Sequence, residues 1–484
     1  MNKPVIVGLA VGRASQLIVA LILLLVACQI SNARAQTVTN LHSFGSTASD
    51  GENPYAGLVP DSNGNFYGTT ISGGTNNNGT VFRVSPGGSY TNFYIFAGFP
   101  NDGSAPYARL VWGNDGNFYG TTYQGGTNND GTVFRISPSG SYTNLYFFGS
   151  YHFDGVNPSG GLVLGGDGNF YGTTSLGGTN NAGTVFRISP GGNYTSLHSF
   201  AGHPADGEQP IAGLVQGNDG NLYGTTYFGG TNDDGTVFRI SLDGSHTNLH
   251  FFAGHLGDGA NPYAGLVLGS DGNFYGTTVS GGTHNMGTVF KIGASGSYTV
   301  LYNFGGFFTD GANPSAALVQ GSDGNFYGTT DSGGTNINGF GTVFQISPGG
   351  SYTNIYSFNG HPNDGDGPFG ALVQGSDGNF YGTTTGGGTN DSGAVFKLTV
   401  PLGPPPYPIN QITGVRLSGT NIVFEIPSIA WETYQLQFSS SMNPTNWVNV
   451  PGVSVTNSIG AILTVTNFGG AVGPQGFYRF DITP

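Results

Sequence analysis

The sequence predicts an all-β chain. Its main body is a seven-bladed β-propeller, followed by a small β-sandwich of immunoglobulin or fibronectin type. Three observations predict this. A segment of the form Asn-Phe-Tyr-Gly-Thr-Thr recurs seven times almost unchanged. Each repeat unit holds four short strand candidates divided by turn residues. The last unit lacks its fourth strand, and a matching strand stands at the start of the chain.

The repeat is marked by Tyr67, Tyr119, Tyr171, Tyr223, Tyr275, Tyr327 and Tyr381, spaced 52 residues apart five times and then 54. The two extra residues fall between Asn336 and Gly341. In the second unit, Ala108 to Trp112 is a short apolar run and Asn114-Asp115-Gly116-Asn117 a tight-turn signal. Phe118 to Thr122, Gly131 to Ser137 and Tyr142 to Phe148 supply three more strands, with a polar loop Gly125 to Asp130 and a turn Pro138 to Ser141 between them. Four antiparallel strands in about fifty residues make a propeller blade. Val133-Phe134 and Leu145-Tyr146-Phe147 are apolar on both strand faces, as expected of a sheet sandwiched between two neighbours. The rival repeat architecture, a parallel β-helix, has shorter coils and no hairpin turns.

The chain ends decide between a closed and an open array, because an open array needs capping repeats. The final unit stops after Ala394 to Thr399, and Thr39-Asn40-Leu41-His42-Ser43-Phe44 matches Thr143 to Phe148 of the second unit. The N-terminal strand is therefore expected to complete blade seven, closing the ring and removing two edges. The propeller spans 37–400. Residues 401–408 form a Pro-rich stiff linker. Residues 409–484 alternate apolar and polar at Gly414 to Leu417, Asn421 to Ile426, Tyr434 to Phe438, Ile462 to Val465 and Phe477 to Ile482, the pattern of a β-sandwich.

Composition fits this division. Charged residues are 8% of the 484, Gly contributes 88 and aromatics 13%. Low charge also marks disordered chains, but those lack the Phe, Tyr, Val and Thr abundant here. The formal net charge is −14, and no basic patch is visible. Nucleic acid and anionic membranes are excluded as partners on that ground. Residues 1–35 read as an export signal: Lys3 and Arg13, the apolar run Leu17 to Ala27, then Ala33-Arg34-Ala35 as a cleavage site. The run is too short to span a bilayer comfortably, so no transmembrane helix is expected in the mature chain. Leu25-Val26-Ala27-Cys28 offers the alternative of a lipoprotein anchored through Cys28, the sole cysteine. No disulfide is available, and the fold must stand on packing, as a monomer.

The motif Asp-Gly-Asn-Phe-Tyr-Gly-Thr-Thr, followed by Gly-Gly-Thr-Asn-Asn-x-Gly-Thr-Val-Phe-Arg-Ile, resembles the GloVer tandem repeat of exported proteins from Verrucomicrobia and some cyanobacteria, in the group called choice-of-anchor proteins. The resemblance covers residues 37–400. More distantly, the unit is similar to blades of NHL-type and two-component-regulator propellers. The segment from Tyr434-Gln435-Leu436-Gln437 through Trp447 to Phe477-Tyr478-Arg479 looks like a module common at the C-termini of such proteins. The resemblance implies export and a propeller and carries no activity with it. The group name anticipates a C-terminal anchor, which the segment ending at Pro484 does not resemble.

Columns of like residues suggest the functional surface. Arg83, Arg135, Arg187, Arg239, Lys291 and Lys397 fall in one column, with Gln345 in blade six. Asp115, Asp167, Asp219, Asp271, Asp323 and Asp377 fall in another, with Asn63 in blade one. Both lie toward one rim, and an ion pair or turn-anchoring hydrogen bond inside each blade is expected. A second acidic column, Asp50, Asp102, Asp154, Asp206, Asp258, Asp310 and Asp364, precedes glycine in the linkers and reads as a turn-and-packing feature. Three residues before most of these stands a ring: Phe99, Tyr151, His203, His255, Phe307 or His361. Asn-rich loops, with Asn128, Asn129, Asn180, Asn181 and Asn232, share that face. Rings that stack on sugars and amides that bond hydroxyls suit a glycan or other cell-surface polymer. Oxygen ligands also suit Ca²⁺, but Asp61-Ser62-Asn63-Gly64-Asn65 lacks the rest of a calcium loop. No cofactor or metal set is read. An active site needs asymmetry, and the visible irregularities are the insertion in blade six and Arg109 in blade two. The sequence therefore favours an exported, non-enzymatic binding or adhesive scaffold. An extracellular enzyme acting on polysaccharide and a purely structural surface protein are the alternatives.

Overall fold

The computed structural model describes residues 37–400 apart from 152, 256, 307 and 308, together with the backbone of six strands between 414 and 483. The segment read as an export signal, with Cys28, and the residues 401–408 read as a linker lie outside the described residues. Seven four-stranded antiparallel sheets succeed one another through 37–400. Blade two runs from an inner strand Val111–Trp112 through Phe118–Thr122 and Thr132–Ile136 to an outer strand Tyr142–Phe147. The inner strand is shorter than the run Ala108 to Trp112 suggested. Nearer the axis the backbone of one blade meets that of the next: a β-carbon on Gly161 would lie 3.2 Å from the Arg109 carbonyl oxygen.

The ring closes as the split repeat requires. Thr37–Ser43 pairs antiparallel with Ala394–Thr399, Thr37 opposite Thr399 and Ser43 opposite Ala394, with a bulge between Asn40 and His42. Phe44 follows, fully buried, its N–H donated to Gly393 O.

The Phe-Tyr-Gly-Thr-Thr strand explains its own repetition. Successive side chains point to opposite sheet faces, so Phe and Tyr pack against different neighbouring blades. Tyr119 stacks on Phe170 at 4.0 Å, Tyr275 on Phe326 at 3.9 Å, and Tyr381 on Phe66 across the closure at 4.1 Å. In blade four Leu222 replaces the phenylalanine and packs in the cluster with Tyr171. Such ring pairs add about 0.5–1.5 kcal/mol each beyond the area they bury. The next residue must be glycine, since a β-carbon on Gly120 would lie 2.6 Å from the Phe134 ring. The second threonine bonds across the strand pair, Thr122 Oγ1 to Thr132 Oγ1 at 2.9 Å.

Each linker also pairs with the loop after the second strand of its blade, Gly103–Ser104 with Gln124–Gly125 for example. Linkers and Asn-rich loops therefore share one face, as expected. Beyond 413 the strands form two three-stranded antiparallel sheets. One strand, Val448–Thr456, escaped the sequence reading. Its Pro451-Gly452 interrupts the alternation, and its pairing shifts register between Gln435 and Gln437.

Removing 37–45 strips blade seven of its outer strand and of Phe44. The melting temperature is expected to fall by several degrees or more, and Phe44→Ala alone should cost about 3–5 kcal/mol in denaturant titrations. An unchanged midpoint in both would contradict closure by this strand.

Candidate functional site

The residues singled out on the linker face are largely engaged with the protein itself. Asp102 Oδ1 accepts the Gly103 N–H at 2.7 Å, while Oδ2 accepts Tyr94 O–H at 2.9 Å and Ala97 N–H at 2.7 Å. Tyr146 on Asp154, Tyr302 on Asp310 and Tyr356 on Asp364 repeat the arrangement. His42, His198 and His250 take the tyrosine's place on Asp50, Asp206 and Asp258. Burial pushes the Asp50 carboxyl up, but bonds from His42, Ser46 and Tyr90 outweigh it and hold the pKa at about 2. The loop amides act as staples. Asn128, Asn180 and Asn232 donate to the carbonyls of Phe148, Phe200 and Phe252, while Asn129 and Asn181 accept from Gly125 and Gly177. His203 and His361 donate through Nδ1 to Gly230 O and Gly388 O, both at 2.9 Å, and His255 bonds Ala253 O. Phe99 and Tyr151 stand exposed, and Phe307 lies outside the described residues.

At the opposite ends of the sheets each hairpin carboxylate takes its own blade's tyrosine, as Asp115 does with Tyr119 at 2.8 Å and Asp167 with Tyr171 at 2.8 Å. Of the ion pairs weighed from the sequence, Lys397–Asp377 forms, at 2.8 Å. Among the described residues Arg83, Arg135, Arg187 and Arg239 make no carboxylate contact within 4 Å. In blade one Asp61, rather than the Asn63 assigned to the column, accepts the turn's N–H groups.

The asymmetry a ligand site needs lies instead around the axis. Every linker ends in a residue with positive φ followed by proline: Asn53 at 54°, Ala105 at 53°, Asn157 at 56°, Asn261 at 54°. This conformation is costly before a β-carbon and turns the chain so that the residue after proline borders the channel. That residue varies from blade to blade: Tyr55, Tyr107, Ser159, Ile211, Tyr263, Ser315, Phe369. A second variable position follows Thr-Thr and includes Tyr123, Ser175, Tyr227 and Asp331. The two are laced together between blades. Asn157 Nδ2 donates to Tyr123 O at 2.9 Å and Asn261 Nδ2 to Tyr227 O at 3.1 Å.

The result is an aromatic collar at the mouth of a cavity of about 580 Å³. Tyr55 stacks on Phe369 at 4.7 Å and meets Tyr107 edge-on at 5.3 Å, and Tyr107 meets Tyr123 at 5.2 Å. Tyr55 and Tyr263, four blades apart, join hydroxyls across the axis at 3.0 Å. Burial, then Tyr263, drives the Tyr55 pKa far up, so its hydroxyl stays a donor. Arg109 lines the same cavity, exposed to its solvent although blades surround it, and burial pulls its pKa down without removing the charge. Arg109 stands out in the sequence as an irregularity, whereas the tyrosines do not, since they fall in columns that change from blade to blade. The available signal was that change itself.

Residues 29–219 and 211–404 match the model of the Gloeobacter/Verrucomicrobia repeat. The chain belongs to that family. The collar positions are thus the places where this Gloeobacter/Verrucomicrobia repeat protein departs from its own repeat. Comparison with curated proteins finds no match. Among solved structures, the chain is similar to the extracellular domain of a protein assigned as a hybrid two-component system of B. thetaiotaomicron. The identity is 12% and the TM-score 0.50, over 92% of this chain and 55% of that one. A second such domain from that organism gives 13%, 0.49, 89% and 55%. A puromycin-hydrolysing peptidase of Mycobacterium tuberculosis gives 12%, 0.43, 82% and 62%. The chain spans about half the length of the first of these, and that likeness establishes the propeller fold.

Two further clusters of the repeat protein bear on chemistry. His198, Asp206 and His246 bring their ligand atoms within 4.8 Å of one another. Burial, then His198, lowers the His246 pKa to about 4, leaving a neutral ring whose Nε2 makes no hydrogen bond and lies 3.9 Å from Asp206 Oδ1. Yet the two rings stack at 3.9 Å and 9°, as Tyr94 and Tyr142 do at 4.2 Å and 8°. Stacked rings hold their lone pairs in two separate parallel planes, so one ion could not lie in both without unstacking a ring. Beside the collar, burial and then Asp366 raise the Asp331 carboxyl to about 6.

A carboxylate with a raised folded-state pKa weakens the fold when ionised, and that cost fades as pH falls through about 6 toward the unfolded value near 4. Asp331→Asn is therefore expected to raise the melting temperature at about pH 8, and the gain should shrink to nothing below about pH 4. A pH-independent difference would contradict the assignment.

Proposed function

We propose that this protein is an exported binding protein that takes a carbohydrate at the channel mouth. The observation that carries the reading is the collar: Tyr55, Tyr107, Tyr123, Tyr227, Tyr263 and Phe369 gathered around one cavity of about 580 Å³. Ring faces cover the apolar faces of sugars, and phenolic hydroxyls bond their hydroxyl groups. The volume lies within the usual range for a small-ligand site. The outer ring of Phe99, Tyr151 and the Asn-rich loops flanks this mouth on the same face and would serve as its rim. The extracellular domain that shares the fold accords with export, as does the signal-like N-terminus. A second reading, an enzyme acting on polysaccharide, draws on Asp331, whose pKa of about 6 suits a proton donor.

A glycan array with the full chain tests the first reading. Tyr107→Ser and Tyr263→Ser place at the collar the residue that blades three and six already carry. Each is expected to weaken the best ligand about tenfold or more with little change in melting temperature. Unaltered binding in both variants would move the site elsewhere. Polysaccharide turnover lost in Asp331→Asn would favour the enzyme.

A further inference from the structure

We propose that the channel mouth selects an acidic saccharide, carboxylated or sulfated, whose anionic group is held by Arg109. This rests on the collar being the ligand site and adds the charge of what enters it. The position of Arg109 in the other six blades is Gly57, Gly161, Gly213, Gly265, Ala317 and Ala371. At several of these glycines the small residue is a packing requirement. A β-carbon on Gly57 would lie 2.7 Å from Ala371 O, and one on Gly213 2.8 Å from Gly161 O. At this level of the channel one blade alone carries a long side chain, and it is a cation.

Among the described residues Arg109 has no hydrogen bond or ion pair, in a molecule with a surplus of acids. The Tyr55–Tyr263 bridge divides the mouth of the channel. It joins blade one to blade five, leaving Tyr107, Arg109, Ser159 and Tyr227 on the side of blades two to four. Asp331 of blade six falls on the other side. A guanidinium that faces the channel solvent without a counter-charge is left free to pair with an anion that enters. Its planar fork matches a carboxylate or sulfate with two parallel N–H···O bonds. On the same side, Ser159 lines the cavity. The cation and the tyrosine faces together describe a sugar ring bearing an anion. Because the seven blades wall the channel, the saccharide enters by its end.

The test is calorimetric titration of the full chain with trigalacturonate, a sulfated galactose trisaccharide and neutral galactotriose. Arg109→Gly gives blade two the residue that four blades carry, so the variant is expected to fold. It should lose about 10- to 100-fold in affinity for the acidic probe that binds, and leave the neutral one unchanged. Wild-type affinity for that probe should fall with added salt. Equal binding of the acidic probe by Arg109→Gly, or tighter binding of the neutral sugar by the wild type, overturns the inference. If Tyr107→Ser still weakens binding in that case, the collar stands without it. Failure of all three probes overturns the collar reading as well.

Discussion

In the linker between blades one and two the carboxylate of Asp102 accepts three hydrogen bonds at once, from its own following glycine, from Ala97 at the end of the preceding outer strand, and from the Tyr94 ring on that strand. Tyr94 in turn stacks on Tyr142 of the next blade. One buried group thus fixes where a blade ends, where the next begins, and how the two lie against each other. A buried carboxylate is costly without donors, so the three bonds are a condition of its being there. Tyrosine and histidine both meet the need, because each presents a flat ring for the stack and a donor at its tip. That is why the column tolerates His42, His198 and His250.

With the linker pinned, the residues after it have little freedom. The left-handed residue and the proline swing the chain toward the axis, and the asparagine side chain ties it to the neighbouring blade. Whatever follows proline is delivered to the channel mouth. The scaffold therefore separates two kinds of position. Those that join blades must repeat, since all the joints are alike. Those that end at the axis touch one another but make none of the repeated joints, so tyrosine, serine, isoleucine and phenylalanine occupy them in turn without loss to the ring. Seven equivalent blades can in this way present one unsymmetrical surface.

This division decides what the sequence reveals. The propeller, its blade boundaries and the closing strand were legible because Phe-Tyr-Gly-Thr-Thr performs both interblade contacts and allows few substitutes. Leu222 is the exception, and it fills the same space. The Asp-Gly column was legible as a turn, though its partner was not. Tyr94 lies eight residues before Asp102 on a strand whose pairing must be known first. The Asn loops read as ligand groups because asparagine amides suit sugars. The structure spends Asn128 and Asn129 on backbone groups of their own blade, which a linear sequence does not display. The collar went unread for a simpler reason: Tyr55, Tyr107 and Tyr263 are separated by serine and isoleucine in the register of the repeat, and only closure of the ring brings blade one opposite blade five.

The most direct measurement is a crystal structure of the full chain with a saccharide found by array. The account predicts density for the sugar on the axis, in contact with Tyr107 and Tyr263 and with Arg109 beneath it. Density confined to the loop rim around Asn128, Asn180 and Tyr151, with the channel mouth unchanged, would contradict it.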